Sequence, residues 1–310
     1  MADDFQFVSK DGLQIHCYHW PTTAEPKAIV QIAHGMAEHG ARYARFAAVL
    51  NKSGYAVYAN DHRGHGKSVP EGRAPGHMAD EDGWNKAVED IFFLNQEITA
   101  RHPGVPVILF GHSMGSFMVQ QYMAEHGDTV VGVALSATNG PPGALGKIGQ
   151  AVTRLEKLRL GAEGHSPVMS GMTFKAFNKA FKPNRTESDW LSRDEAEVDK
   201  YVADPLCGFE CSVATWIRML DALTRVASDA ALSTVNKDMP IHVMSGAADP
   251  VGENTKGVKR LLDAYDAARF TNVSHKFYED ARHEILNEIN RDEVTADFIR
   301  WADSIIQNKS

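Results

Sequence analysis

The chain has 310 residues, of which 43% are hydrophobic and 23% are charged. This composition is typical of a globular protein and excludes a disordered or fibrous chain. The length allows one large domain or one domain that carries an insertion. With 32 basic and 40 acidic residues, the formal net charge is -8. Such a charge repels nucleic-acid phosphates, so we expect no nucleic acid among the partners.

The N-terminus and the cysteines favour a cytoplasmic protein. Asp3 and Asp4 stand where a secretory signal needs basic residues, and no apolar run is long enough to span a bilayer. Cys17, Cys207 and Cys211 are an odd number of cysteines, which predicts no disulfide framework and fits a reducing compartment. No second Cys/His pair completes a zinc site with Cys207 and Cys211, so we expect no metal.

Short strands and helices alternate through the first half of the chain. The alternating pattern of residues 5–20 predicts a hairpin around the turn at residues 10–12. Nearly continuous apolar runs then predict strands buried on both faces of a parallel sheet, and segments of helical periodicity separate them. The predicted strands are 28–33, 55–60, 105–110 and 130–135, and the predicted helices are 43–52, 84–100 and 117–125.

The alternation stops after residue 135 and resumes about a hundred residues later. Residues 141–236 contain helical patterns without a convincing strand, whereas strands are predicted again at 241–245 and 276–278, followed by a helix at 294–306. The sequence therefore predicts an α/β fold with a mostly parallel central sheet flanked by helices. Residues 1–140 and 237–310 would form the core, and residues 141–236 a helical cap inserted between two strands.

A glycine-flanked serine lies where a predicted strand meets a predicted helix. The apolar run VILF leads into GHSMG at residues 111–115, which is the G-x-S-x-G pattern of the nucleophile elbow. At such a turn, a Cβ at Gly111 or Gly115 would collide with the neighbouring strand and helix. The pattern alone also fits a serine in an ordinary tight turn. Its position between strand and helix predicts Ser113 as a nucleophile.

A serine hydroxyl needs a base and an acid that orients the base. In this fold the acid and then the histidine follow the serine, each in a loop after a strand. Asp249 and His283 occupy those places, so we predict His283 as the general base and Asp249 as the acid. Glu253 and Asp280 lie in the same loops, but Asp249 is closest to its strand and precedes a proline that fixes the turn.

A tetrahedral intermediate also needs backbone N–H donors. One comes from the residue after the nucleophile and one from the loop after an earlier strand. The first is Met114. The strand at 28–33 ends in a His-Gly turn, which predicts the Met36 amide as the second donor. The alternative for Met36 is an ordinary turn at a strand end.

Several blocks together resemble the monoacylglycerol lipase and lysophospholipase branch of the α/β hydrolases, which is grouped with serine aminopeptidase-like hydrolases. They are HGMAEH at 34–39, DHRGHGKS at 61–68, GHSMG at 111–115, GAADPV at 246–251 and ARHE at 281–284. The resemblance implies ester hydrolysis through an acyl-enzyme, without a metal or organic cofactor. It also implies a structural, ion-paired loop at 61–68 and a lysophospholipase-like cap around YVADPL at 201–206.

The predicted cap begins with an amphipathic helix. Its apolar residues recur at intervals of three and four, and a mostly basic face accompanies them. The helix either packs its apolar face on the core or docks transiently on a membrane or micelle. The apolar face comprises Leu145, Ile148, Val152, Leu155 and Leu158, and the polar face Lys147, Gln150, Arg154 and Lys157.

Apolar side chains follow at near-helical spacing in the same segment. Met169, Met172, Phe174, Phe177 and Phe181 fit either core packing or a pocket for an acyl chain, because flexible methionines suit both. If they form a pocket, the substrate is an ester with a medium or long acyl chain. A small-molecule or lipid ester is therefore the expected partner, and no motif specifies an oligomeric state.

Two other functions compete with a serine esterase. An aminopeptidase would use the same triad and would need acidic groups in the cap to hold the substrate's amino terminus; Glu163, Glu187 and Asp189 are available. A non-catalytic ligand-binding protein could keep the fold, but such proteins commonly lack a triad member, whereas all three are present here.

Overall fold

The computed structural model describes residues 2–307, without the side chains of residues 144 and 145. The strands are β1 (Asp3–Val8), β2 (Gln14–Trp20), β3 (Ala28–Ala33), β4 (Tyr55–Asn60), β5 (Val107–His112), β6 (Gly132–Ser136), β7 (Ile241–Gly246) and β8 (Val273–Tyr278). The helices are α1 (Ala44–Lys52), α2 (Gly83–Arg101), α3 (Met114–His126), α4 (Ala144–Leu160), α5 (Pro167–Met172), α6 (Phe174–Asn178), α7 (Glu195–Ala203), α8 (Val213–Arg225), α9 (Asp229–Thr234), α10 (Lys256–Ala267) and α11 (Arg291–Gln307).

One mostly parallel sheet of eight strands organises the molecule. The spatial order is β1-β2-β4-β3-β5-β6-β7-β8. The predicted hairpin forms β1 and β2, which pair antiparallel, and β2 pairs antiparallel with β4. All later pairings are parallel. Every residue of β3, β4, β5 and β7 is buried, because helices cover both faces of the sheet. The predicted α/β-hydrolase architecture is confirmed.

A helical insertion leaves the carboxyl end of β6 and returns to β7. Residues 141–236, which we call the insertion, contain α4 to α9 and, as far as the structure describes them, no strand. An isolated bridge joins His165 and Ser212 within it. No helix within residues 2–307 combines the length and apolar character that crossing a membrane requires. The division into a core and a cap at residues 141 and 236 stays a prediction.

The first helix of the insertion turns much of its predicted apolar face outward. The exposed fractions are 52% for Ile148, 65% for Leu155 and 86% for Leu158. Val152 is half-buried, and the side chain of Leu145 lies outside the described part of the chain. The interpretation in which this face packs on the core is therefore wrong for Ile148, Leu155 and Leu158.

Small and polar residues form the inward side of α4 instead. Thr153 and Glu156 are buried, and the Thr153 hydroxyl donates to the Gly149 carbonyl at 2.9 Å. The Gln150 amide donates to the Leu220 carbonyl of α8 at 3.1 Å. These residues allow α4 to approach α8 closely, so the apolar residues at the other positions of the helix are left in solvent.

Candidate active site

Ser113 occupies the sharp turn between β5 and α3. Its backbone has φ 50° and ψ -120°, a conformation that costs a residue with a side chain about 1–3 kcal/mol. The Ser113 amide donates to the Ser136 carbonyl of β6 at 2.9 Å, and the Ser116 amide donates to the Ser113 carbonyl at 2.9 Å. Ser113 is half-buried although its neighbours His112 and Met114 are buried. The turn therefore presents the serine at the carboxyl edge of the sheet.

The flanking glycines make this turn possible. A Cβ on Gly115 would lie 2.1 Å from the Ala33 carbonyl oxygen of β3. A Cβ on Gly111 would lie 2.7 Å from the Ser116 Cα of α3. The collisions expected from the sequence, with a neighbouring strand and helix, are the ones that the structure shows.

Asp249 and His283 meet in the loops after β7 and β8. Nδ1 of His283 lies 3.0 Å from each carboxylate oxygen of Asp249, and both side chains are buried. A Cβ on Gly246 would lie 2.1 Å from the Arg282 carbonyl oxygen, so the close approach of the two loops requires glycine. His283 and Ser113 line the same cavity. The three residues predicted as a triad are thus brought to one place.

The two rival carboxylates do not pair with His283, although Glu253 lines the same cavity. Glu253 accepts a hydrogen bond from Arg260 at 3.1 Å, and Asp280 is exposed. Within residues 2–307, neither of them hydrogen-bonds to His283. The geometry favours Asp249 as the partner of His283.

The surroundings of His283 change its proton affinity. Burial acts to lower the pKa of His283, but the Asp249 carboxylate, helped by Glu284 and Glu38, outweighs burial and raises the pKa above its ordinary value of 6.5. The nearby His112 ring is buried, which lowers its pKa to about 4. His112 is therefore neutral at physiological pH, and His283 is the histidine at this site that carries enhanced basicity.

The two predicted oxyanion donors flank the serine. Met114 begins α3, where the first backbone amides of a helix have no partner within it. Met36 lies in the turn after β3, and a Cβ on the preceding Gly35 would lie 3.3 Å from the Ser113 Cβ. In the part of the chain that the structure describes, neither the Met36 nor the Met114 amide donates to another protein group. Both amides are available to an oxyanion.

An apolar cavity of about 330 Å³ adjoins Ser113 and His283. This volume is within the range of small-molecule sites, about 300–1,000 Å³. The insertion supplies most of the apolar lining, which includes four of the five residues considered for a pocket: Met169, Met172, Phe174 and Phe177. Phe181 is not among the described residues that line the cavity. Met169 is almost fully buried, whereas Met172 is 38% exposed, so the lining extends from the interior to the surface.

Comparison with known proteins identifies the family. Residues 24–290 match the family described as "Serine aminopeptidase, S33". The chain belongs to this family.

Mouse monoglyceride lipase is 30% identical, with 97% of this chain and 89% of the relative covered. A monoacylglycerol lipase of Mycolicibacterium smegmatis is 29% identical, with 96% of each chain covered. A thermostable carboxyl esterase from Bacillus coagulans, solved with glycerol, superposes with a TM-score of 0.90 at 26% identity, covering 98% of this chain and 99% of the other.

The S33 family name raises the question of a peptide substrate. Glu163, Glu187 and Asp189 are not among the described residues that line the cavity. Glu38 and Glu284 do line it, but both accept hydrogen bonds from the Arg42 guanidinium at 2.6 Å. Glu253 lines the cavity too and is paired with Arg260. Each of these three carboxylates already binds a guanidinium, so none of the three is unpaired and ready to hold the amino terminus of a peptide.

Sequence reasoning missed an aromatic neighbour of His283. The Trp190 ring of the insertion lies 4.9 Å from the His283 ring, between centroids, and the Trp190 carbonyl accepts from the His283 amide at 3.4 Å. The next pair continues this contact, because the Glu284 amide donates to the Leu191 carbonyl at 2.7 Å. Residues 190 and 283 are far apart in the sequence and share no repeating pattern, so the sequence alone could not predict this contact.

The loop at residues 61–68 stabilises the segment that follows the turn of Met36. The Asp61 carboxylate accepts from the Gly40 amide at 2.7 Å and from the Lys67 amide at 2.8 Å. Arg63 forms a buried ion pair with Asp90 at 2.8 Å. These contacts agree with the structural role that the family resemblance implies for the loop.

Proposed function

We propose that this protein is a carboxylic ester hydrolase of the monoacylglycerol lipase type, with Ser113 as nucleophile, His283 as base and Asp249 as the orienting acid. The observation that carries this proposal is that Ser113 and His283 line one apolar cavity, while Asp249 hydrogen-bonds to His283. The relatives named above are lipases and an esterase, which supports ester chemistry over peptide hydrolysis.

The proposed reaction has two halves. His283 takes the proton of the Ser113 hydroxyl as the oxygen attacks the ester carbonyl, and the Met36 and Met114 amides stabilise the resulting oxyanion. The tetrahedral intermediate collapses to an acyl-enzyme, and His283 gives its proton to the departing alcohol. Water then attacks the acyl-enzyme with His283 again as base, which releases the carboxylic acid and restores Ser113.

The cavity favours a substrate with an apolar acyl chain. Its lining is provided largely by methionine and aromatic side chains, which match an alkyl chain without specific polar contacts. We propose monoacylglycerols with a medium or long acyl chain as substrates, since monoacylglycerol and monoglyceride lipases are similar to this chain over nearly all of its length.

We also propose that the outer face of α4 contacts the lipid phase. Ile148, Leu155 and Leu158 are exposed there, and Val168 and Met172 of α5 are exposed as well. Met172 also lines the cavity, so the exposed apolar side of α5 adjoins the proposed acyl site. Transient docking would bring the cavity to a substrate that resides in a membrane or micelle. A cytoplasmic location is proposed with it.

The experiment compares the wild type with Ser113→Ala on p-nitrophenyl esters from acetate to palmitate, with a monoacylglycerol and a lysophospholipid alongside. We expect Ser113→Ala to abolish turnover and the wild type to prefer the longer chains and the monoacylglycerol. Ser304→Ala, on the exposed side of α11, is the matched control. Full activity of Ser113→Ala, or faster hydrolysis of an aminoacyl-naphthylamide than of any ester, would contradict the proposal.

A further inference from the structure

The turn that carries the Met36 amide holds a strained residue. Ala37 has φ 56°, a left-handed conformation that residues with a side chain seldom adopt. Ala37 is also buried. Such a conformation persists only when surrounding contacts impose it, so the contacts of Ala37 decide how firmly the adjacent Met36 amide is held.

Two hydrogen bonds from the insertion converge on the Ala37 carbonyl oxygen. The Tyr201 hydroxyl of α7 donates to it at 3.1 Å, and the Gly208 amide donates to it at 3.0 Å. A carbonyl oxygen has two lone pairs, and both are used here. In residues 2–307, no other group donates to this oxygen.

A third contact joins the same two segments. Nε2 of His39 donates to the Asp204 carboxylate at 2.9 Å, and His39 is buried. The Arg42 guanidinium also lies 4.9 Å from the centre of the Tyr201 ring. Residues 201–208, which we call the tether segment, therefore contact the turn at Ala37 and at His39.

Hydrogen bonds within the turn and to the core fix the residues on either side of Ala37, and the insertion binds Ala37 itself. The Gly35 amide donates to the Glu38 carboxylate at 2.5 Å, and the Gly40 amide donates to Asp61 at 2.7 Å. Among the described residues, the tether segment alone donates to the carbonyl of the strained Ala37 between these two points. Loss of those bonds would relax the turn without removing the Met36 amide.

We propose that the tether segment positions the oxyanion donor, with Tyr201 and Asp204 as positioning residues that hold the Met36 amide toward Ser113. This inference rests on the proposed function. It gives the insertion a part in turnover as well as in substrate binding, because stabilisation of the oxyanion depends on donors fixed in advance at the place where charge develops.

The first test uses Tyr201→Phe, which removes one hydroxyl and keeps the ring. The substrate is p-nitrophenyl butyrate, whose short chain makes little use of the cavity. We expect kcat to fall about tenfold with KM nearly unchanged, less than the 10²- to 10³-fold that loss of a whole donor costs. Affinity for a trifluoromethyl ketone, whose adduct with Ser113 carries an oxyanion, should fall by the same factor. Tyr265→Phe is the matched control, because the buried Tyr265 hydroxyl has no partner in the described chain.

The second test uses Asp204, which is partly exposed and tolerates substitution more easily. Asp204→Ala removes the acceptor for His39 and should reduce kcat and trifluoromethyl ketone affinity together. Asp204→Asn keeps an acceptor oxygen and should restore most of both. The thermal midpoint of each variant shows whether the chain is folded at the assay temperature.

The outcomes separate this inference from the proposed function. Suppose first that the wild type hydrolyses esters. If Tyr201→Phe and Asp204→Ala then keep kcat and trifluoromethyl ketone affinity within twofold of the values for Tyr265→Phe, the tether segment does not position the donor. A rise in KM alone would overturn the inference too, since it would indicate substrate binding. If the wild type hydrolyses no ester, the proposed function fails and the inference falls with it.

Discussion

Gly149 of α4 and Leu220 of α8 face each other across a gap that one added carbon atom would fill. A Cβ on Gly149 would lie 3.7 Å from the Leu220 Cδ1, an ordinary van der Waals distance. Both residues line the cavity beside Ser113. A methyl group therefore fits at position 149, whereas a larger side chain must enter the cavity or displace α8.

This relationship predicts a change in acyl-chain preference. Gly149→Leu should move the preferred ester to a shorter chain, and Gly149→Ala should leave the preference close to that of the wild type. The measurement is kcat/KM across p-nitrophenyl esters from acetate to palmitate. Gly171→Leu is the control, since a Cβ at Gly171 has open space around it and that residue is outside the cavity lining. An unchanged profile for Gly149→Leu would show that acyl chains do not pass α4.

Asp249→Asn should reduce kcat by about 10⁴-fold, because the amide stabilises the wrong tautomer of the base and no longer supports its protonated form. The fold should survive, since the two side chains have nearly the same shape. The assay is turnover of a p-nitrophenyl ester, with the circular dichroism spectrum as a check on folding. Asp280→Asn, in the neighbouring loop, serves as the control and should stay within a few-fold of the wild type.

The pH profile of kcat/KM should have its acidic limb above pH 6.5. A base must be neutral to accept the Ser113 proton, and the pKa of His283 is raised above 6.5 despite its burial. Activity is then lost as the pH falls through that raised pKa. An inflection well below pH 6.5 in the wild type would show that another group limits the rate.

The exposed face of α4 should mediate binding to vesicles. Replacing Leu155 and Leu158 together with serine should weaken association with phosphatidylcholine vesicles by about a hundredfold or more, because each buried leucine contributes about 1.5–3 kcal/mol. Hydrolysis of a soluble butyrate ester should be unaffected. Val8→Ser, at a residue of β1 that is 66% exposed, is the control, and an equal loss in that variant would mean that α4 has no special role.

Buried histidines should make the fold sensitive to acid. Burial lowers the pKa of His62 to about 3 and that of His65 to about 4, and burial lowers the pKa of His34 as well. Unfolded histidines titrate near 6.5, so below that pH the unfolded chain binds more protons. Stability is complete above pH 6.5 and declines as the pH falls toward 4. Urea unfolding at a series of pH values tests this, and a constant free energy of unfolding across the window would contradict it.

Local patterns predicted the sheet well because its strands are short apolar runs with clear ends. The bounds of β3 and β4 agree with the prediction, and the loops after β7 and β8 bring Asp249 and His283 together. Periodicity failed for α4 because an amphipathic pattern shows that two faces differ but does not show which one packs inward. The family resemblance pointed to residues 201–206, but the contacts of Tyr201 and Trp190 were not predicted because they join parts of the chain that share no local pattern.

The double attachment of the insertion limits how the molecule can be re-engineered. Trp190 reaches the loop of His283, and Tyr201 reaches the turn of Met36. The insertion therefore cannot be exchanged as an independent unit, although it leaves and rejoins the sheet at adjacent strands. A chimera in which only α4 and α5 are exchanged should keep the proposed catalytic residues in their native positions. A chimera in which all of residues 141–236 are exchanged would also need residues that contact the loop of His283 and the turn of Met36 as Trp190 and Tyr201 do.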